Sequence, residues 1–93
     1  MARQAASLRV EGRVQGVGYR WWAVQAARRL GLDGWVRNRA DESVEILAIG
    51  EAQALRQLAD ACHEGPSGAR VASVTVTPAE DDGSLGFEQR ATL

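Results

Sequence analysis

Lysine is absent from this chain, and all 11 basic residues are arginine. This absence excludes a Walker-type phosphate loop, which needs a Gly-Lys pair, and it also excludes a Schiff-base lysine. Cysteine and histidine occur once each, as Cys62 and His63. A single cysteine excludes an internal disulfide framework and a cysteine-based metal cluster, and a zinc site would need further unusual ligands. We therefore expect no metal site.

Long hydrophobic runs are also missing. No apolar stretch approaches the ~20 residues that cross a bilayer, and no hydrophobic segment of a secretory signal follows the N-terminal arginine. The formal net charge of -1 gives no overall electrostatic argument for binding nucleic acid or an anionic membrane. We therefore expect a cytoplasmic protein with no nucleic-acid or membrane partner, and its 93 residues predict a single domain over 1–93.

Hydrophobic periodicity predicts six elements in the order strand, helix, strand, strand, helix, strand. Two strand-helix-strand halves in sequence match the split βαβ plan, an α+β fold in which two helices cover one face of an antiparallel sheet. The final residues could add a short terminal strand around Phe87. The predicted strands are 8–14, 35–40, 43–49, 73–77 and 85–90, and the predicted helices run from Trp22 to Leu30 and from 51 to 64.

The stretch GRVQGVGYRWW, residues 12–22, connects the first strand to the first helix. Gly16 and Gly18 would weaken either regular structure, so we expect a backbone shape that only glycine tolerates. A turn of this kind leaves N–H groups free to bind an anion at the positive end of the helix dipole, and the guanidinium of Arg20 can hold two phosphate oxygens. The candidate backbone donors are Gln15, Gly16, Val17, Gly18 and Tyr19.

Two other interpretations of this stretch are a turn that only connects two elements and a dinucleotide-binding fingerprint. Glycine turns before helices are common as plain connections, so the pattern alone is also compatible with a turn that binds nothing. A dinucleotide fingerprint is disfavoured, because Trp21 stands where the third glycine should be.

A second stretch, GWVRNRADESVE at residues 34–45, contains Asn38, the only asparagine of the chain. Its amide can accept a hydrogen bond from water while donating to an oxygen, which suits a residue that orients a nucleophile. An asparagine near a hairpin turn can equally bond the backbone. Arg37 and Arg39 could raise the positive potential near such a site.

These two stretches together resemble the signature sequences of the acylphosphatase family, in the right order. The resemblance implies a ferredoxin-like α/β sandwich (βαββαβ) and hydrolysis of the carboxyl-phosphate bond of acyl phosphates. It also implies that the loop through Arg20 binds the phosphate, that Asn38 positions the attacking water, and that no metal or organic cofactor is needed. The family usually has Asp-Gly in the hairpin turn, whereas this chain has Asp41-Glu42, so a turn with positive φ would be strained by ~1 kcal/mol.

The remaining candidates have structural interpretations. We expect Cys62 and Trp22 to pack in the core, Trp21 to lie at the helix flank, and His63 to cap the second helix rather than catalyse. Base stacking in an RNA-binding sheet is disfavoured, because such sheets need aromatic residues on central strands and basic surroundings. The expected protein is a monomeric enzyme with a small-molecule acyl phosphate substrate. The alternatives are a phosphate-binding or regulatory module without turnover, and a domain resembling the acylphosphatase-like part of hydrogenase-maturation carbamoyltransferases.

Overall fold

Two helices pack on one face of a five-stranded sheet in the computed structural model, which describes residues 3–93. The βαββαβ order and the placement of both helices on one face are as predicted. A short fifth strand follows this order. The elements are β1 (Gln4–Arg13), α1 (Tyr19–Arg29), β2 (Asp33–Asn38), β3 (Val44–Gly50), α2 (Ala52–Cys62), β4 (Arg70–Pro78) and β5 (Phe87–Arg90).

The sheet is mixed, so the prediction of an antiparallel sheet is wrong at one edge. The strand order is β4-β1-β3-β2-β5, and β5 pairs in parallel with β2, with Val36 opposite Gln89. Residues 79–86 connect β4 at one edge of the sheet to β5 at the other edge, and they cross the sheet face opposite the helices. There Asp82 accepts a hydrogen bond of 3.2 Å from the indole nitrogen of Trp35.

Several element boundaries also differ from those predicted. The helix α1 begins at Tyr19 rather than Trp22, since Gly18 takes the N-cap position with φ +80°. The strand β1 begins at Gln4 rather than Leu8, because its first residues pair with the end of β3. The strand β2 ends at Asn38, two residues earlier than predicted.

The core lies between the two helices and the sheet face that they cover. On α1, buried alanines such as Ala23 and Ala27 allow the helix axis to approach the sheet, and on α2 the larger side chain of Leu58 fills the space. Residues two apart on a strand share a face, so Val36 and Asn38 of β2 both point toward this helical layer. Asn38 therefore ends a row of core positions on the face that α1 covers.

The start of α1 is anchored to the end of α2. The hydroxyl of Tyr19 donates a buried hydrogen bond of 2.7 Å to the carbonyl of Cys62, and burial raises the pKa of Tyr19 above its ordinary range, which keeps the hydroxyl a donor. A Cβ at Gly65 would lie 2.5 Å from Cε2 of Tyr19, so only glycine leaves room for the ring. Burial also raises the pKa of the Cys62 thiol to about 11, and Cys62 packs in the core as predicted.

Candidate active site

A cavity of about 140 Å³ lies where α1 begins and β2 ends. It brings together residues from the two sequence segments that were singled out as candidates. The predicted site residues that line it are Gly16, Gly18, Tyr19, Arg20 and Asn38, and the remaining lining residues are Val14, Trp21 and Gln89.

The loop before α1 has the glycine-dependent backbone that the sequence predicts. Gly16 has φ +73° and Gly18 has φ +80°, in the left-handed region that residues with a Cβ rarely adopt. A Cβ built at either position would meet no atom of the described residues within 4 Å. The requirement for glycine is therefore conformational, and the space beside the loop stays open.

The first turn of α1 presents free main-chain donors. Its first helical hydrogen bond runs from the amide of Trp22 to the carbonyl of Gly18 at 3.0 Å, so the amides of Tyr19, Arg20 and Trp21 have no acceptor within the helix. Within residues 3–93, no side chain caps this end, and the first turn contains no acidic residue. Free N–H groups and the positive end of the helix dipole therefore coincide at the cavity.

Arg20 adds a full positive charge to this region. Its side chain is partly buried and lines the cavity. No carboxylate of residues 3–93 lies within 4 Å of its guanidinium, whereas Arg3, Arg9 and Arg37 each form an ion pair. The charge of Arg20 is thus left for an anion in the cavity.

Asn38 contributes a buried acceptor with no protein partner. The residue is 9% exposed, and its Oδ1 is the one buried side-chain polar atom among residues 3–93 that accepts no hydrogen bond. Leaving such an acceptor unpaired costs about 1–3 kcal/mol. The Asn38 carbonyl accepts a bond of 3.1 Å from the amide of Leu93, so the main chain behind this side chain is held on the β5 side.

The side chains of Gln15 and Val17 do not line this cavity. Nε2 of Gln15 donates to the carbonyls of Arg39 and Ser43, at 2.9 Å in each case, and so connects the glycine loop to the turn between β2 and β3. Val17 is partly buried and packs against the core. Any part that these two residues play in anion binding would therefore fall to their main chain.

The β2–β3 turn takes the strained form that the sequence allowed. Glu42 has φ +74°, a positive value that residues with a Cβ rarely adopt. Asp41 stabilises the turn, because its Oδ1 accepts bonds from the amide of Ser43 at 3.0 Å and from the hydroxyl of Ser43 at 2.6 Å. These bonds hold the pKa of Asp41 below its usual value. The turn that follows Asn38 is thus ordered despite the missing glycine.

Arg37 and Arg39 share one carboxylate as their ion-pair partner. Trp35 and Arg37 lie on the sheet face opposite Asn38, where the guanidinium of Arg37 stacks on the Trp35 ring at 4.6 Å. Oε1 of Glu45 pairs with Arg37 at 2.7 Å and with Arg39 at 3.2 Å. One carboxylate therefore offsets only part of the charge of these two arginines, and an increase in positive potential at the cavity stays a prediction.

Three lining residues, Val14, Trp21 and Gln89, were not predicted from the sequence as parts of a site. Val14 was predicted only as a strand residue, and Trp21 only as a residue at the helix flank. Gln89 shares a face of β5 with buried Phe87, so alternation could have placed it on the helical side of the sheet. Its nearness to Asn38 depends on the parallel pairing of β5 with β2, which no local pattern reveals.

His63, the one histidine of the chain, does not line the cavity. Nδ1 of exposed His63 is 3.0 Å from the carbonyl of Ala59, a contact within the last turn of α2 that fits the predicted capping role. Residues 3–93 contain no cluster of three or more histidine, cysteine or acidic side chains suited to hold a metal ion. In the same range no helix is both long and apolar enough to span a membrane.

Comparison with known proteins agrees with this geometry. The family model described as acylphosphatase matches residues 6–89. An acylphosphatase from Acidovorax sp. (strain JS42) is 54% identical, with 100% of both chains covered, and one from Acidiphilium cryptum (strain JF-5) is 51% identical, covering 95% of this chain and 97% of the relative. The crystal structure of acylphosphatase from Bacillus subtilis superposes with a TM-score of 0.89 at 37% identity, covering 92% of this chain and 97% of that one. The chain therefore belongs to the acylphosphatase family, whose function is the hydrolysis of acyl phosphates.

Proposed function

We propose that this chain hydrolyses acyl phosphates in the cavity between α1 and β2, with Arg20 and the main-chain amides of residues 15–20 binding the phosphoryl group and Asn38 positioning water. The observation that carries the proposal is the buried, unpaired Oδ1 of Asn38 on the wall of the cavity that Arg20 and the free amides also line. A site that only bound phosphate would have no need of a buried acceptor that orients water.

The chemistry needs alignment and charge rather than a base. The water oxygen forms a bond to phosphorus as the bond from phosphorus to the carboxyl oxygen breaks, and the carboxylate leaves with the electron pair without being protonated. Both protons of the attacking water end on the phosphate product. Before attack, a hydrogen bond from one O–H of the water to Oδ1 of Asn38 would direct the water lone pair toward phosphorus. Arg20 and the amides would stabilise the charge on the equatorial oxygens.

The lining of the cavity agrees with this division of roles. Its described residues include no carboxylate and no imidazole, and the hydroxyl of Tyr19 is held as a donor to the carbonyl of Cys62. The walls therefore offer no side chain that is free to act as a general base. The positive groups lie on α1 and its preceding loop, while the neutral acceptor lies on β2. Binding and water positioning would therefore come from different elements.

We also propose that the protein acts as a monomer in the cytoplasm on a small-molecule acyl phosphate, and that residues 1–93 form one domain. The described cavity is built by one chain, which supports a site that needs no second copy. The buried, protonated Cys62 is compatible with a reducing compartment.

The test is phosphate release from benzoyl phosphate by the wild type, Arg20→Ala and Arg20→Lys. We expect Arg20→Ala to lose at least about 100-fold in kcat/KM, because one oriented donor at a developing charge contributes that much. Arg20→Lys should recover only part, since a lysine cannot bind two oxygens in a plane. Arg29→Ala, an exposed arginine at the other end of α1, is the matched control. Binding of phosphate without release by the wild type would favour the binding module instead.

A further inference from the structure

One large apolar side chain on the cavity wall has no part in phosphate binding. Trp21 follows Arg20 in the first turn of α1, lines the cavity and is 63% exposed. The next residue, Trp22, packs against the core instead, with its ring 5.2 Å from that of Tyr19. Single exposed apolar residues are common on protein surfaces, so exposure alone says little. The position of Trp21 beside the anion site sets it apart.

The size of the cavity limits what it can enclose. Its volume of about 140 Å³ is close to that of an engineered cavity that holds one benzene molecule. A phosphoryl group and one attacking water would occupy most of this space. The acyl group of a substrate would then have to lie outside the enclosed part, at the mouth.

The direction of attack indicates on which side the acyl group lies. In phosphoryl transfer the attacking and leaving oxygens lie roughly in line on opposite sides of phosphorus. Asn38 is 9% exposed, so water that it positions approaches from the interior. The leaving carboxylate then points to the open side of the cavity. The exposed side chains of the lining are those of Trp21 and Gln89, because the other exposed lining residues are glycines.

We propose that Trp21 forms an acyl subsite at the mouth of the cavity, and that it favours acyl phosphates with a flat, apolar acyl group, such as an aromatic acid, over those with a short acyl group. This inference rests on the proposed function, because it takes the phosphoryl position from Arg20 and the attack direction from Asn38. An indole and an aromatic acyl group can stack, which favours the aromatic substrate by about 3- to 10-fold.

The test compares kcat/KM for benzoyl phosphate and acetyl phosphate in the wild type, Trp21→Ala and Trp21→Phe. We expect Trp21→Ala to lower kcat/KM for benzoyl phosphate by about 3- to 10-fold and that for acetyl phosphate by less than about 2-fold. Trp21→Phe should keep most of the preference, and the inhibition constant of inorganic phosphate should not change. Leu85→Ala removes another exposed apolar side chain, in the β4–β5 crossover away from the cavity lining, and is the matched control.

An unchanged ratio of the two kcat/KM values in Trp21→Ala would overturn the acyl subsite, whether both values fall or neither does. This failure is distinguishable from failure of the proposed function. If the wild type hydrolyses neither substrate, the proposed function is wrong. If it hydrolyses both and only the ratio fails to respond, the acyl subsite alone is wrong.

Discussion

Replacing Asn38 by alanine should separate stability from turnover. The change breaks no hydrogen bond within residues 3–93, because Oδ1 of Asn38 has no protein partner there, and it removes packing equivalent to one or two methylene groups, about 1–2 kcal/mol. Removal of a buried polar group offsets part of this loss, so we expect the free energy of unfolding to stay within about 1 kcal/mol of the wild type. Turnover should nevertheless fall by at least about 100-fold, since the group that orients water is lost.

The measurements are urea unfolding followed by tryptophan fluorescence and initial rates of benzoyl phosphate hydrolysis. Val36→Ala is the matched control, because Val36 lies two residues earlier on the same face of β2 and is fully buried. It should lose about 2 kcal/mol of stability and keep the kcat of the folded protein. The reasoning would be refuted if Asn38→Ala kept kcat within about threefold of the wild type, or if it lost as much stability as Val36→Ala.

Two further predictions concern the turn and the core. Glu42→Gly should raise the free energy of unfolding by about 0.5–1 kcal/mol, because the strain relieved at a left-handed φ exceeds the cost of the extra entropy of glycine in the unfolded chain. The kcat should not change. A lower urea midpoint would contradict this prediction. Stability should also fall as the pH rises from 9 to about 11, since in this window the unfolded thiol of Cys62 ionises while the folded thiol keeps its proton. Urea midpoints at pH 8 and pH 10 measure this decline, and Cys62→Ala should show a smaller one; equal declines would exclude the thiol as a cause.

Local sequence patterns predict the helices and strands of this fold, but they do not predict which strand β5 pairs with. Alternation around Phe87 is enough to predict β5, and helical spacing is enough to predict both helices. The parallel pairing of β5 with β2 depends on a crossover through residues 79–86, whose route is set by contacts such as Asp82 with Trp35. Those contacts are distant in sequence and leave no periodic signal.

The candidate site was predictable to a similar degree. Gly16 and Gly18 indicated their backbone conformations, because a position that needs a positive φ is usually occupied by glycine, and this is visible in the sequence. The link between Gln15 and the β2–β3 turn has no such signal, because a glutamine amide can bond any carbonyl within its reach. Trp21 was expected only at the flank of the predicted helix, and only the folded chain shows that its exposed side chain borders the cavity.

The position of Asn38 on an interior strand has a consequence for thermal inactivation. The strand β2 is hydrogen-bonded on both sides, to β3 and to β5, so its end cannot move independently of the sheet. Segments held in this way open only with the cooperative unfolding of the whole domain. Heating should therefore abolish turnover and the folded state at the same temperature, with no earlier inactivation step in which the sheet survives.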